Sequence, residues 1–335
     1  MSANRQIVIA ELPKGELTYD HFAEKTADIP KAGEGQIVIR TILMSIDAAN
    51  RAWMQGATYR EPVLAGDVMH TYAIGEVVES AVDRFKPGDI VQTEARWADY
   101  VAVDAKLAMP TPPVKALSNL LSVFGIAGLT AHHGLAQVGQ PKAGETVVVS
   151  AAAGSVGQFV GQIAKALGLR AVGIAGGPEK CAWVTDELGF DACVDYRDPK
   201  WAKALRAACP DGVDIYFDNV GGDILEGVLF QMNNKGRVVC CGAISQYNAN
   251  APTGPRNLPG MVVVKRLRME GFIAMDFPDK DAAAIKQLSD WVEAGQIKVF
   301  EDVVEGLENA PKALIGLLSG DNRGKRMVRV APDPA

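Results

Sequence analysis

No cysteine occurs before Cys181, and the five in the chain (Cys181, Cys193, Cys209, Cys240 and Cys241) are odd in number and follow no framework spacing. The first half therefore has no thiolate for a zinc site, and an extracellular disulfide scaffold is excluded. The thiols read as buried, and the adjacent pair Cys240 and Cys241, facing opposite sides of a strand, does not chelate one metal together. Histidine is also scarce, with four in all. His132 and His133 diverge by about 100° on a helix and read as structural, and His70 reads as packing. No run of 18 apolar residues exists to cross a membrane as a helix. The opening MSANRQIVIAEL has no basic segment followed by an apolar core, so a cytoplasmic location with no membrane partner is expected. Surplus positive charge is missing too. Lys and Arg number 34 against 40 Asp and Glu, a net charge of -6, which argues against nucleic acid as a partner.

What is present is an ordinary globular composition, 48% hydrophobic and 22% charged over 335 residues, long enough for two domains. Up to about residue 110 the apolar signal has period two, as in QIVIRTILMSID and AIGEVVES, with turn chemistry such as KPGD between strands. This portion reads as a mostly antiparallel β domain. From about residue 116, LSNLLSVFGIAGLTAHHGLAQVG has helical spacing. Short apolar runs then alternate with helix patterns, giving strands at 146–150, 170–174, 191–194, 213–217, 236–241 and 268–274. Repeated strand, helix, strand units need parallel crossovers, so the fold class is α/β with a doubly wound sheet of Rossmann type. The terminal MVRV alternates like a strand and is expected to return to the β domain.

After the first parallel strand, AAAGSVG places Ala152, Gly154 and Gly157 where a dinucleotide fingerprint has three glycines. Glycine at the second position lets the backbone approach a pyrophosphate, and at the third it lets helix and strand pack closely. Val156, Val160, Ile163 and Leu167 then form one helical stripe, so the helix N-terminus faces the turn and offers amides to an anion. The fingerprint expects a carboxylate at the end of the second strand to bind the adenosine ribose. The chain has Ala175, Gly176 and Gly177 there instead. With Pro178 at the first helical position, Lys180 falls in the first turn beside the ribose pocket. It reads either as a cation selecting the 2'-phosphate of NADPH or as a solvated lysine. The missing acid favours the first. Tyr196, after the third strand, is a phosphate donor or a strand-end aromatic, and Asn219, in FDNVGG, is a ligand contact or a turn former. The loop after RVVCCG offers Tyr247 and Asn248.

AAAGSVG, GGPEK, DNVGG and CGAISQYN, in that order and with MSIDAANRAWM and SGDNRGK at the two ends, resemble the zinc-independent branch of the medium-chain dehydrogenase/reductase superfamily. Prostaglandin and leukotriene B4 reductases, plant double-bond reductases and bacterial curcumin reductases are the nearest in pattern. The resemblance implies a GroES-like β domain, residues 1–124 and 299–335, joined to a Rossmann domain, 125–298, with the active site in the cleft between them. It implies Lys180 and Tyr196 at the 2'-phosphate of NADP(H), Asn219 and Asn322 near the cofactor, and Tyr247 near the substrate carbonyl, with Tyr59 a second pocket tyrosine. Ser155, Val156, Gly176, Cys241, Ala243, Ile244, Ser245 and Phe272 complete the candidate cofactor set. A homodimer is also implied. Ala48 and Ala49 depart from relatives that carry bulkier residues. Gly66-Asp67 stands where zinc enzymes carry Gly-His-Glu, so no metal is expected.

The expected reaction is zinc-independent reduction of the carbon–carbon double bond of an α,β-unsaturated ketone or aldehyde. Hydride from NADPH goes to the β-carbon, charge gathers on the carbonyl oxygen as an enolate, and a proton from water reaches the α-carbon. Tyr247 and the cofactor ribose hydroxyl are the candidate donors to that oxygen. Quinone reduction, enoyl-thioester reduction and NADPH binding without turnover are the alternatives.

Overall fold

The computed structural model describes residues 3–112, 114–249, 251 and 253–334. In chain order its strands are β1 (Asn4–Ile9), β2 (Phe22–Ala27), β3 (Gln36–Ser45), β4 (His70–Ser80), β5 (Ile90–Arg96), β6 (Tyr100–Asp104), β7 (Met109–Pro110), β8 (Thr146–Ser150), β9 (Arg170–Ala175), β10 (Ala192–Asp195), β11 (Val213–Asp218), β12 (Met232–Cys240), β13 (Arg268–Gly271), β14 (Glu301–Glu305) and β15 (Lys325–Arg329). The helices are α1 (Ala48–Trp53), α2 (Ile126–His133), α3 (Gly157–Ala166), α4 (Pro178–Asp186), α5 (Trp201–Ala208), α6 (Gly222–Leu229), α7 (Ile244–Tyr247), α8 (Leu258–Lys265), α9 (Asp281–Glu293) and α10 (Ala310–Ser319). The chain falls into two compact units: the residues up to Leu121 together with those from Glu301, and Ser122–Phe300.

The Ser122–Phe300 unit is built on a six-stranded parallel sheet in the order β10-β9-β8-β11-β12-β13. β8 and β11 are neighbours although β9 and β10 lie between them in sequence. The winding reverses at that point, which is where open α/β sheets hold their ligands. Helices cover both faces, so the central strands read as unbroken apolar runs. Val147 and Val149 pack into one cluster with Phe159, Val160 and Ile163 of α3. Val148 packs into the other with Leu205, Val228 and Leu229. Cys240 and Cys241 divide between the two clusters in the same way.

Three local readings need correction. β12 begins at Met232, ahead of the expected 236: its pairing with β11 shifts between Val213 and Ile215, and Lys235 takes φ 64° in the irregular stretch. The polar MNNKG segment has no strand alternation, so sequence alone did not show it. β13 stops at Gly271 because Phe272 leaves the ladder to pack its ring 6.3 Å from Phe217 and 6.4 Å from Phe277. The helical pattern from residue 116 is broken at Gly125 and resumes as α2, where Gly128 is required: a Cβ there would sit 1.9 Å from Val123 O. Of the five thiols only Cys209 is fully buried, the other four being half-buried. Burial pushes Cys209 and Cys240 up to about 11 and Cys241 up to about 12, so these are protonated, unreactive thiols. His132 and His133 are buried on α2 and bond Gln287 Oε1 and Asp281 Oδ1, each at 2.8 Å, from α9.

The other unit has a β1-β2 hairpin and a seven-stranded sheet in the order β14-β15-β3-β4-β5-β7, with β6 also on β3. All its pairings are antiparallel except β14-β15. β15 joins β3 through Met327↔Ser45, Val328↔Met44 and Arg329↔Leu43. Its first residue, Lys325, is fully buried and bonds Asp47 Oδ1 at 2.5 Å and Ile46 O at 3.3 Å. This pair connects the SGDNRGK and MSIDAANRAWM segments. Arg51 of α1 is buried beside them and donates to Gly15 O at 2.8 Å. Buried charges are tolerated where such partners replace lost hydration.

Candidate cofactor and active site

Because every strand of the six-stranded sheet runs the same way, their carboxyl ends share one edge. The turn after β8 is held by Gly154 N–H donating to Ala151 O at 2.9 Å, with Ala151 at φ 50°. A Cβ at Gly157 would stand 2.2 Å from Ala151 O, so α3 can start against the turn only with glycine there. Ala152, fully buried, donates its N–H to Ile174 O at 3.1 Å and fastens the turn to β9. The first turn of α3 carries no acidic residue, leaving its amides to face an anion. Ser155 Oγ is shielded from solvent and has no hydrogen-bond partner among the described residues. A polar atom in that state fits a site whose ligand brings the partner.

At the switch point, Asp218 of β11 organises the edge. Its Oδ1 accepts from Tyr216 Oη at 2.8 Å, Ser150 Oγ at 3.3 Å, Val220 N at 3.0 Å and Gly221 N at 2.8 Å. Burial pushes this carboxyl up, against donors that favour its charge, and pushes the Tyr216 phenol well above its ordinary value. Asn219 then ties β11 to β8, its N–H donating to Ser150 Oγ at 2.9 Å and its Nδ2 to Ser150 O at 2.8 Å. The loop after β12 is fastened to the same turn. Cys241 N and Gly242 N donate to Asp218 O, Ile244 N to Asn219 O, and Ser245 N and Oγ to Val220 O. Tyr247, at the end of α7, is half-buried, and its hydroxyl accepts from Ala243 N at 3.4 Å. Burial pushes its pKa up, so the phenol stays a neutral O–H donor. Asn250 and Pro252, farther along this loop, lie outside the described residues.

The ends of β9 and β10 form the third corner. Gly177 has φ 93°, Pro178 opens α4, and Lys180 sits half-buried in its first turn. No acid stands at the end of β9. Asp195, at the end of β10, turns its Oδ1 to Gly177 N at 2.8 Å and Arg197 N at 2.9 Å. Tyr196 lies against Gly176, where a Cβ would come 3.0 Å from its Cε1.

The structure thus gathers Ala152, Gly154, Ser155, Val156, Gly157, Gly176, Lys180, Tyr196, Asn219, Cys241, Ala243, Ile244, Ser245 and Tyr247 along one sheet edge. Phe272 is at the end of β13, its ring against Phe217 and Phe277. Tyr59 and Asn322 belong to the other unit. Tyr59 is 52% exposed, and Asn322 is buried, donating Nδ2 to Gly324 O at 2.8 Å in the turn before β15. Sequence reasoning placed Arg197 at the end of the third strand but missed the Asp218 network and the inward turn of Asp195. A strand closing on an acid, as in VDIYFD, was the available signal for the network. Among the described residues no group of three or more His, Cys, Asp and Glu could hold a metal ion.

Residues 5–110 match the family described as N-terminal domain of oxidoreductase, and residues 155–294 match zinc-binding dehydrogenase. The chain is 41% identical over 337 residues to the NADPH-dependent curcumin reductase of Escherichia coli, covering 98% of each. It is 39% identical to rat prostaglandin reductase 1, covering 94% of this chain and 96% of that one. The structure of CurA from Vibrio vulnificus in complex with NADPH superposes with a TM-score of 0.93 at 40% identity, covering 98% of this chain and 100% of that one. With likeness of that extent in both sequence and fold, the chain belongs to the medium-chain dehydrogenase/reductase superfamily, in its curcumin and prostaglandin reductase branch.

Proposed function

We propose that the protein uses NADPH to reduce the carbon–carbon double bond of α,β-unsaturated ketones and aldehydes. One observation carries the reading: a turn that only glycine permits at residue 157 shares its sheet edge with an acid-free glycine pair and with the Tyr247 hydroxyl. The first two fit a dinucleotide bearing a 2'-phosphate. The third is a neutral donor fit for an oxygen that gains negative charge.

Gly154 and Gly157 would admit the diphosphate, the α3 amides and Ser155 Oγ would bond to it, and Lys180 and Tyr196 would hold the 2'-phosphate. Asn219, Cys241, Ala243, Ile244, Ser245 and Phe272 would border the nicotinamide half. A dinucleotide held by these residues would supply the hydride that the β-carbon of the acceptor takes up. Tyr247 donates its hydrogen bond to the carbonyl oxygen as the enolate forms, and Tyr59 orients the acceptor. One such donor is worth about 3–4 kcal/mol of barrier where it has been removed from other oxyanion sites. Purified protein mixed with NADPH and a medium-chain enone should consume nicotinamide absorbance and yield the saturated ketone. No consumption across a panel of enones and alkenals rejects the reading, and faster turnover of quinones redirects it.

A homodimer in the cytoplasm is part of the same proposal. β13 is the outer strand of the six-stranded sheet, and α8 beside it leaves Val263 73% and Val264 70% exposed. An open strand edge with apolar neighbours supports pairing with a second copy. No helix among the described residues is long and apolar enough to cross a membrane.

A further inference from the structure

The glycine pair after β9 does more than leave out an acid. A Cβ at Gly176 would stand 3.1 Å from Arg197 Nε and 3.1 Å from Tyr196 Oη, and one at Gly177 would stand 3.6 Å from Arg197 Nη1. The Arg197 guanidinium and the Tyr196 phenol therefore rest on backbone that has no side chains to hold them off. Arg197 is exposed, and its guanidinium has no ion pair or hydrogen bond to any described residue. Of the two acids beside it in sequence, Asp198 turns its Oδ1 to Lys200 N at 2.8 Å, and Asp195 has its Oδ1 turned inward to two backbone amides, Gly177 N and Arg197 N. One carboxylate thus fixes both the glycine pair and the backbone of Arg197, and leaves the guanidinium fork facing the corner that Lys180 and Tyr196 share.

We propose that Arg197 is the second cation of the 2'-phosphate site and a specificity-determining residue of the enzyme. Its ligand is the phosphate monoester on the adenosine ribose, a dianion whose geometry suits the planar fork of arginine, while Lys180 contributes a point charge. Gly176 belongs to the same device, since any side chain there would push Tyr196 and Arg197 outward. The proposal rests on the reading that the protein uses NADPH.

The test is calorimetric titration of the full-length protein with adenosine 2',5'-bisphosphate and with 5'-AMP, for wild type, Arg197→Ala, Arg197→Lys and Lys180→Ala. Arg197→Ala should weaken the bisphosphate roughly 10- to 100-fold, the value of a charged hydrogen bond, and leave 5'-AMP within twofold. Arg197→Lys should recover part of the loss. An unchanged bisphosphate affinity, or an equal loss for both nucleotides, overturns the proposal. If wild type and Arg197→Ala prefer the bisphosphate alike and only Lys180→Ala loses the preference, the role of Arg197 fails and the NADPH reading stands. If wild type itself shows no preference, both fail.

Discussion

Replacing Gly157 with alanine separates two demands on the same turn. In an ordinary helix the change is favourable, by up to about 1 kcal/mol. Here the new Cβ would stand 2.2 Å from Ala151 O and 2.9 Å from Ala151 C and Ala152 Cα. All three atoms are backbone, so no rotamer change relieves the contact and α3 must withdraw from the turn. With every clash against backbone, the upper half of the roughly 1–3 kcal/mol cost of overpacking applies, and after the helix-propensity gain a net loss of about 1–2 kcal/mol is left. For a unit of this size each kcal/mol lowers the melting temperature by roughly 2–4 °C. Gly154→Ala is the contrasting case: its Cβ would meet Ala151 O at 3.1 Å, a contact a small shift relieves, yet under the proposed function it would stand where the fingerprint's second glycine admits a diphosphate. Thermal melts and NADPH titrations followed by protein fluorescence should show Gly157→Ala losing both stability and affinity. Gly154→Ala should keep its melting temperature and bind at least tenfold more weakly, about 1.4 kcal/mol. A Gly157→Ala protein as stable as wild type, or a Gly154→Ala protein with undiminished affinity, refutes the reasoning.

Lys180→Ala should weaken NADPH by about 2 kcal/mol through loss of a charged hydrogen bond to phosphate and leave NADH nearly untouched; equal losses for both cofactors would mean local unfolding instead. Tyr247→Phe should lower kcat while the NADPH affinity holds, as loss of a donor made strong in the transition state requires, and an unchanged rate removes the residue from the mechanism. His70 is pushed down to about 4 from 6.5 by burial, with Arg96 and Arg60 adding to it. The folded state therefore keeps this imidazole neutral while the unfolded chain takes up a proton, so stability is complete above about pH 6.5 and is lost as pH falls toward 4. His70→Gln should flatten urea-measured stability across that window, and an unaltered slope would show that another group governs it.

Much of the parallel-sheet unit was legible because its strands are buried on both faces: TVVVS and VDIYFD announce themselves by composition, and the small residues of AAAGSVG mark the turn. Position along the chain also placed Lys180, since Pro178 fixes where α4 starts. What escaped depends on which strands become neighbours. Asp195 looks like an acid at a strand end, and only the β9-β10 pairing shows its carboxylate directed at Gly177 N. The alternation of MVRV suggests one buried face, yet Lys325 through Val328 are all buried, because β15 is flanked by β14 and β3. The polar start of β12 has no period to read at all.

The mixed sheet draws on stretches of chain separated by the whole of Ser122–Phe300. The stretch of β3 from Leu43 to Ser45 waits for residues 327–329, so on the ribosome that edge stays open while the parallel-sheet unit, contiguous in sequence, can already close. Loop entropy grows only slowly with length, so the long wait is a matter of timing more than of final stability. A nascent chain stalled before β15 would present bare strand edge to its neighbours, which makes the SGDNRGK turn the point after which this protein is safe to release.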